Sequence, residues 1–137
     1  MGVLLDSSVF IAKEREGKSA RQALTELHQQ FGGEELAMSI LSVVELAHGA
    51  ARADTPQRLA KRQEYLTHLT TALQVHTITL SIALRAGQID GENAARGFRL
   101  ALADLLIGVT ALELSYRVAT SNVRHFQMIP GLTVLPV

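Results

Sequence analysis

Short apolar runs recur along this chain of 137 residues, and a segment with helical spacing separates each run from the next. Strands are predicted at 3–5, 36–39, 75–79, 118–121 and 132–135, the third by its alternation in VHTIT. Between the first two runs, Ser7 or Ser8 can cap a short helix over 9–13, and EREGKS reads as a polar loop. Ala20, Leu24, Leu27 and Phe31 then line one helical face, which Gly32-Gly33 ends. ILSVVELAHGAARA reads as a helix. Thr55-Pro56, a capping residue with proline at the first helical position, starts another. SIALRAGQ opens a further helix, with Gly91 and Gly97 punctuating the region after it. LALADLLIGVTALELSY is apolar almost all round, the mark of a core helix, and NVRHFQMIPG is a loop or short helix. Strands that alternate with helices in this way predict a three-layer α/β/α fold over residues 1–137. Its central sheet should be mainly parallel, with four to five strands. In such sheets, sites form at the carboxyl ends of the strands.

The length fits one domain with one core. The chain is 47% hydrophobic and 19% charged, with a mean hydropathy of +0.18, which is apolar for a soluble domain. The longest apolar stretch carries Asp104 and Glu113 inside it, so it does not read as a membrane span. The surplus is therefore expected in the core and in a self-association or partner surface. The N-terminus lacks the basic region and cleavage pattern of a secretory signal, and there are no cysteines. Both suit a cytoplasmic protein, and the second excludes a disulfide framework and a thiolate metal site. Thirteen basic and thirteen acidic residues cancel, so any nucleic-acid binding must come from a local patch.

Three carboxylates stand out. Asp6 follows the first strand, where it can cap a helix or serve a site. Glu45 lies in SVVELAHGA. With Ser42 it forms an S-x-x-E capping box, but with Ser39 as the cap it falls deeper in the helix. Asp104 sits within Leu100 to Ile107, where an unpaired carboxylate is costly and needs a cation. Arg96 or Arg99 would make that an ion pair. Gly108 and Ala111, one and two turns on, would instead leave a depression beside it and favour a site. If the strands before these residues are central neighbours, the three acids converge. A hard divalent cation then relieves their repulsion. All-oxygen ligands suit Mg²⁺ or Mn²⁺, and the five histidines show no H-x-x-x-H spacing that would suit zinc.

In order and spacing, LLDSSVFI, SVVELAHGA, ALADLLIGVTALE and VATSNVRHFQMIPGLTVL resemble the PIN-domain nucleases, in particular the VapC toxins of bacterial type II toxin–antitoxin pairs. The resemblance covers nearly the whole chain. It implies an Mg²⁺- or Mn²⁺-dependent endoribonuclease with catalytic and metal-binding residues Asp6, Glu45 and Asp104. It implies products with a 5′-phosphate and a 3′-hydroxyl. It also implies a small antitoxin partner and a homodimer, with no membrane involved. The family's fourth acidic position falls on Asn122 of Thr120-Ser121-Asn122, a departure from the four-acid pattern; Asn122 also reads as a turn or cap residue. Ser8 stands where many relatives have Asn.

For the RNA, Ser8 and Arg124 are the candidate substrate contacts. Lys13, Arg15, Lys18 and Arg21 form a first basic group, and Arg52, Arg58, Lys61 and Arg62 a second; His125 stands beside Arg124. Four Phe, two Tyr and no Trp leave little for base stacking. A phosphotransferase of the haloacid dehalogenase type needs a second Asp where Ser8 stands. The alternative is a non-catalytic PIN-fold module that binds RNA or protein, which Asn122 would suit.

Overall fold

The computed structural model describes all 137 residues. In chain order the elements are β1 (Gly2–Leu5), α1 (Ser7–Arg15), α2 (Ala20–Gln30), β2 (Glu35–Ser39), α3 (Ile40–Ala51) and α4 (Pro56–Ala72). They continue with β3 (Gln74–His76), α5 (Leu80–Ala95), α6 (Leu102–Leu114), β4 (Arg117–Thr120), α7 (Val123–Gln127) and β5 (Val134–Pro136). The five strands form one sheet in the order β3-β2-β1-β4-β5, and every neighbouring pair is parallel. Val3 of the central strand stands opposite Leu36 on one side and Arg117 on the other.

The strand pleat divides the core in two. Val3, Leu5, Leu36, Met38 and Ala119 pack with α1, α2 and α4, where Phe10, Leu27 and Leu69 are fully buried. Leu4, Ala37 and Val118 point the other way, into Ile82 and Ala86 of α5, Ile107 of α6 and Phe126 of α7. Residues buried on both faces of a parallel sheet explain the near-continuous apolar runs in the sequence. The chain turns from one side of β1 to the other between β3 and β4. This places a switch point, and hence a crevice, between the carboxyl ends of β1 and β4.

Local chemistry sets several boundaries. Thr55 caps α4, its hydroxyl accepting from the Arg58 N–H at 3.1 Å, with Pro56 at the first helical position. Ser19 and Gln22 form a reciprocal capping box on α2. The third strand is shorter than its alternation suggests. It stops at His76 because Thr79 turns its hydroxyl to the Ile82 N–H and caps α5. Gly91 lies inside α5 rather than ending it, whereas Gly97, at φ +87°, follows its end. Helix α1 extends further than predicted in both directions and absorbs Glu14 and Arg15 from the expected loop. No helix is long and apolar enough to cross a membrane.

Gly108 corrects one expectation. It leaves no depression beside Asp104: a Cβ there would run into the Cδ1 of Ile129 and meet Leu132 Cδ2 at 3.3 Å. Ile129 is itself buried at 2% exposure, so it has little room to yield. Gly108→Ala is expected to cost about 1–3 kcal/mol by overpacking. Gly87 of α5 is exposed, with nothing within 4 Å of a built Cβ. Gly87→Ala should therefore raise stability by about 0.5–1 kcal/mol through helix propensity alone. Urea unfolding of the two variants should move in opposite directions.

Candidate active site

Asp6 stands directly after β1, in extended conformation, at the capping position of α1. Its side chain makes no capping bond and turns instead toward β4. It is 3% exposed, and its Oδ2 accepts from the Ser8 hydroxyl at 2.7 Å and from the Thr120 hydroxyl at 2.9 Å. Each hydroxyl in turn accepts a backbone N–H: Ser121 donates to Ser8 Oγ at 3.1 Å and Asn122 to Thr120 Oγ1 at 2.9 Å. Both hydroxyl protons thus go to one carboxylate oxygen, and these bonds leave Oδ1 free. Ser8, the expected substrate contact, has its hydroxyl engaged by Asp6 and by the Ser121 N–H.

Glu45 rides on α3. Ser39 caps that helix, accepting from the Leu41 N–H at 3.1 Å, so the Ser42–Glu45 capping box does not form and the acid falls in the second turn. Glu45 Oε1 is buried with no hydrogen-bond partner. Burial pushes this carboxyl above the usual carboxylate range. The charge of Asp6 and then that of Asp104 push the same way, and the Ser7 hydroxyl opposes them.

Asp104 lies in the first turn of α6, where the helix dipole favours an acid. Its side chain is 15% exposed. Neither Arg96 nor Arg99 pairs with it; Arg99 lies 3.6 Å from Asp90 instead. Its partner is His125 of α7, with Nδ1 3.1 Å from Oδ2. Burial and then the Asp6 charge raise the Asp104 carboxyl, while His125 holds it down.

The three acids therefore stand in one electrostatic neighbourhood at the switch point, without closing into a finished metal cage of three side chains. The set is all oxygen, with one buried carboxylate oxygen lacking any donor. It fits a hard cation that keeps part of its water shell, as Mg²⁺ does, better than an all-protein cage.

Asn122 precedes α7, exposed, and its side chain makes no capping bond. Arg124 is exposed and enters no salt bridge. Lys13 and Lys18 are drawn onto Glu26. Sequence reasoning missed two members of this arrangement: Thr120 as a support for Asp6, and His125 as the partner of Asp104. A threonine at the carboxyl end of the predicted fourth strand was the available signal for the first.

Comparison with known proteins gives consistent results. The model of the PIN domain matches residues 3–131. Ribonuclease VapC10 of Mycobacterium tuberculosis is 34% identical over 130 residues, which span 95% of this chain and 90% of that protein. Among solved structures, a chain of VapBC2 from Rickettsia felis, bound to a DNA fragment from its promoter, superposes with a TM-score of 0.84. It is 18% identical and covers 100% of this chain and 99% of that one. A chain of VapBC-5 from Mycobacterium tuberculosis, a member of the VapBC family of toxin–antitoxin systems, gives 0.71 at 19% identity, over 100% and 98% of the two chains. At these identities the two structures show the likeness of fold.

Proposed function

The chain belongs to the PIN domain family, and from that premise we propose that it is a VapC-type endoribonuclease that hydrolyses RNA phosphodiester bonds. The observation that carries the reading is Glu45 Oε1, a buried carboxylate oxygen without a donor, in a carboxyl group that feels the charges of Asp6 and Asp104. Asp6, Asp104 and Glu45 would hold Mg²⁺ or Mn²⁺, which supplies positive charge at the phosphate and acidifies bound water. Asp6 offers Oδ1, since Ser8 and Thr120 occupy Oδ2. Glu45 would take the proton of the attacking water at Oε1. The water oxygen bonds to phosphorus, the bond from phosphorus to the 3′ oxygen breaks, and that oxygen takes up a proton from solvent. No 2′-hydroxyl takes part, so a preference for RNA must come from binding. Arg124, exposed and unpaired beside the site, is the contact we assign to a substrate phosphate.

We further propose that the chain acts as the toxin of a toxin–antitoxin pair, as its likeness to ribonuclease VapC10 supports, with a small antitoxin covering the site. The exposed apolar side chains of Val44, Leu80 and Leu84 offer surface for that partner or for a homodimer. A second reading, a module that binds without cutting, is favoured by the amide at Asn122 in place of an acid.

Incubation with total RNA and Mn²⁺ decides between them. Hydrolysis is expected to stop with EDTA and to leave 5′-phosphates that a 5′-phosphate-dependent exonuclease degrades. Cyclic phosphate ends, or intact RNA at high enzyme concentration, would defeat the nuclease reading.

A further inference from the structure

We propose that a single RNA strand leaves the carboxylate site along the groove between α1, α3 and α4, and that Arg15 and Lys61 hold its phosphates there. The proposal rests on the nuclease reading and adds a direction and two positioning residues to it. Glu45 itself lines a cavity of about 260 Å³ between these helices, with Ile11, Leu46 and Tyr65 as its apolar walls and Arg15 and Arg62 at its rim. Through Glu14, Arg15 and Arg62 the cavity continues into a hollow of about 370 Å³ that Arg58 and Lys61 complete. No hydrophobic residue lines that second hollow.

The cations in the groove differ in kind. Arg62 is fixed as wall: its Nη1 donates to the Gly49 carbonyl at 2.9 Å, and its Nε lies 3.8 Å from Glu14. Arg58 is bound to Asp54 at 2.8 Å. Arg15 and Lys61 are exposed and have no acidic partner. Elsewhere on this neutral chain, Lys13 and Lys18 pair with Glu26, Arg85 with Glu113, and Arg117 with Glu34. Arg21, Arg52, Arg96 and Arg124 are also unpaired but line neither hollow. An occupant with a phosphate at the acids and further phosphates along the groove therefore meets two uncommitted positive charges. The apolar walls between accept a ribose or base face. A polyanion satisfies this series, whereas an apolar peptide would leave both cations without a counter-charge.

The test uses the Arg15→Ala/Lys61→Ala variant of the whole chain, with Arg85→Ala/Arg96→Ala as a control of equal charge. Two readouts are taken. The first is the rise in melting temperature on adding Mn²⁺, which reports on the carboxylate site. The second is fluorescence polarisation of a labelled random-sequence RNA of about 20 nucleotides in EDTA, over a range of salt. Expected is an unchanged Mn²⁺ response for both variants. RNA affinity should fall about tenfold or more for Arg15→Ala/Lys61→Ala, and change about twofold or less for the control. The salt slope of log K should shrink by about 1.4 for two lost single-strand phosphate contacts. Wild-type affinity and slope in the groove variant would overturn the proposal. So would retained RNA affinity with lost binding of a co-expressed antitoxin, since the groove would then belong to the peptide. Failure of the wild type to bind or cut RNA at all would instead remove the nuclease reading, and the groove assignment with it.

Discussion

Asp104→Asn is expected to abolish RNA cleavage while raising the melting temperature of the metal-free protein. The loss of activity should reach about 10³-fold or more. Cation stabilisation of a phosphoryl transition state is worth several kcal/mol, and about 1.4 kcal/mol is a factor of ten. The gain in stability has a separate origin. Burial and the Asp6 charge raise the Asp104 carboxyl, and burial with the same charge raises Glu45. A carboxyl raised by folding makes the native state bind more protons than the unfolded chain. In metal-free protein, stability should therefore fall as pH rises from the ordinary carboxylate range through the raised native values, and stay reduced above them. Removing the Asp104 charge should flatten that slope. Mn²⁺ should stabilise the wild type by linkage and the variant less. Differential scanning calorimetry between pH 4.5 and 7.5, with EDTA or Mn²⁺, separates these effects. If the variant melts lower in EDTA and Mn²⁺ moves neither protein, the Asp104–His125 contact is a structural pair and the carboxylates do not form a cation site.

Phe126→Ala should show the largest loss of stability, about 3–5 kcal/mol for truncation of a fully buried aromatic. For a chain of this size that corresponds to roughly 10–17 °C. The site should suffer beyond the melting shift. Helix α7 has five residues and no side-chain cap, too short to persist alone. Phe126, with Ile129 just beyond the helix, anchors this segment in the core packed against α5 and α6. Released from that anchor, His125 loses its place beside Asp104 and Arg124 its place at the crevice. Cleavage measured well below the new melting point should therefore still fall. Full activity there would show that α7 holds its position without Phe126.

The layers of the fold were legible because parallel strands buried on both faces cannot hide their composition. Val3 to Leu5 and Leu36 to Met38 announce themselves, and Thr55-Pro56 starts its helix where expected. VHTIT misled because alternation is the same for a strand as for a short strand followed by a capping threonine, and only the position of α5 decides between them. Asp104 was conspicuous as a charge in an apolar run. Its partner was not, because His125 is 21 residues away and reaches Asp104 only through the packing of α7 on α6. Gly108 reads as space because a missing side chain looks the same in sequence whether it leaves a void or admits a neighbour. Ile129 admits itself there.

The support beneath Asp6 bears on what position 122 contributes. Thr120 reaches Asp6 with its hydroxyl proton, and the oxygen of that hydroxyl is met by the main-chain N–H of residue 122. The side chain at 122 takes no part in this relay. A change from acid to amide there alters the charge presented to the crevice and leaves the bracing of the first carboxylate intact. The side chain at 122 can therefore change without loosening Asp6, provided the residue keeps its amide hydrogen, a condition only proline fails.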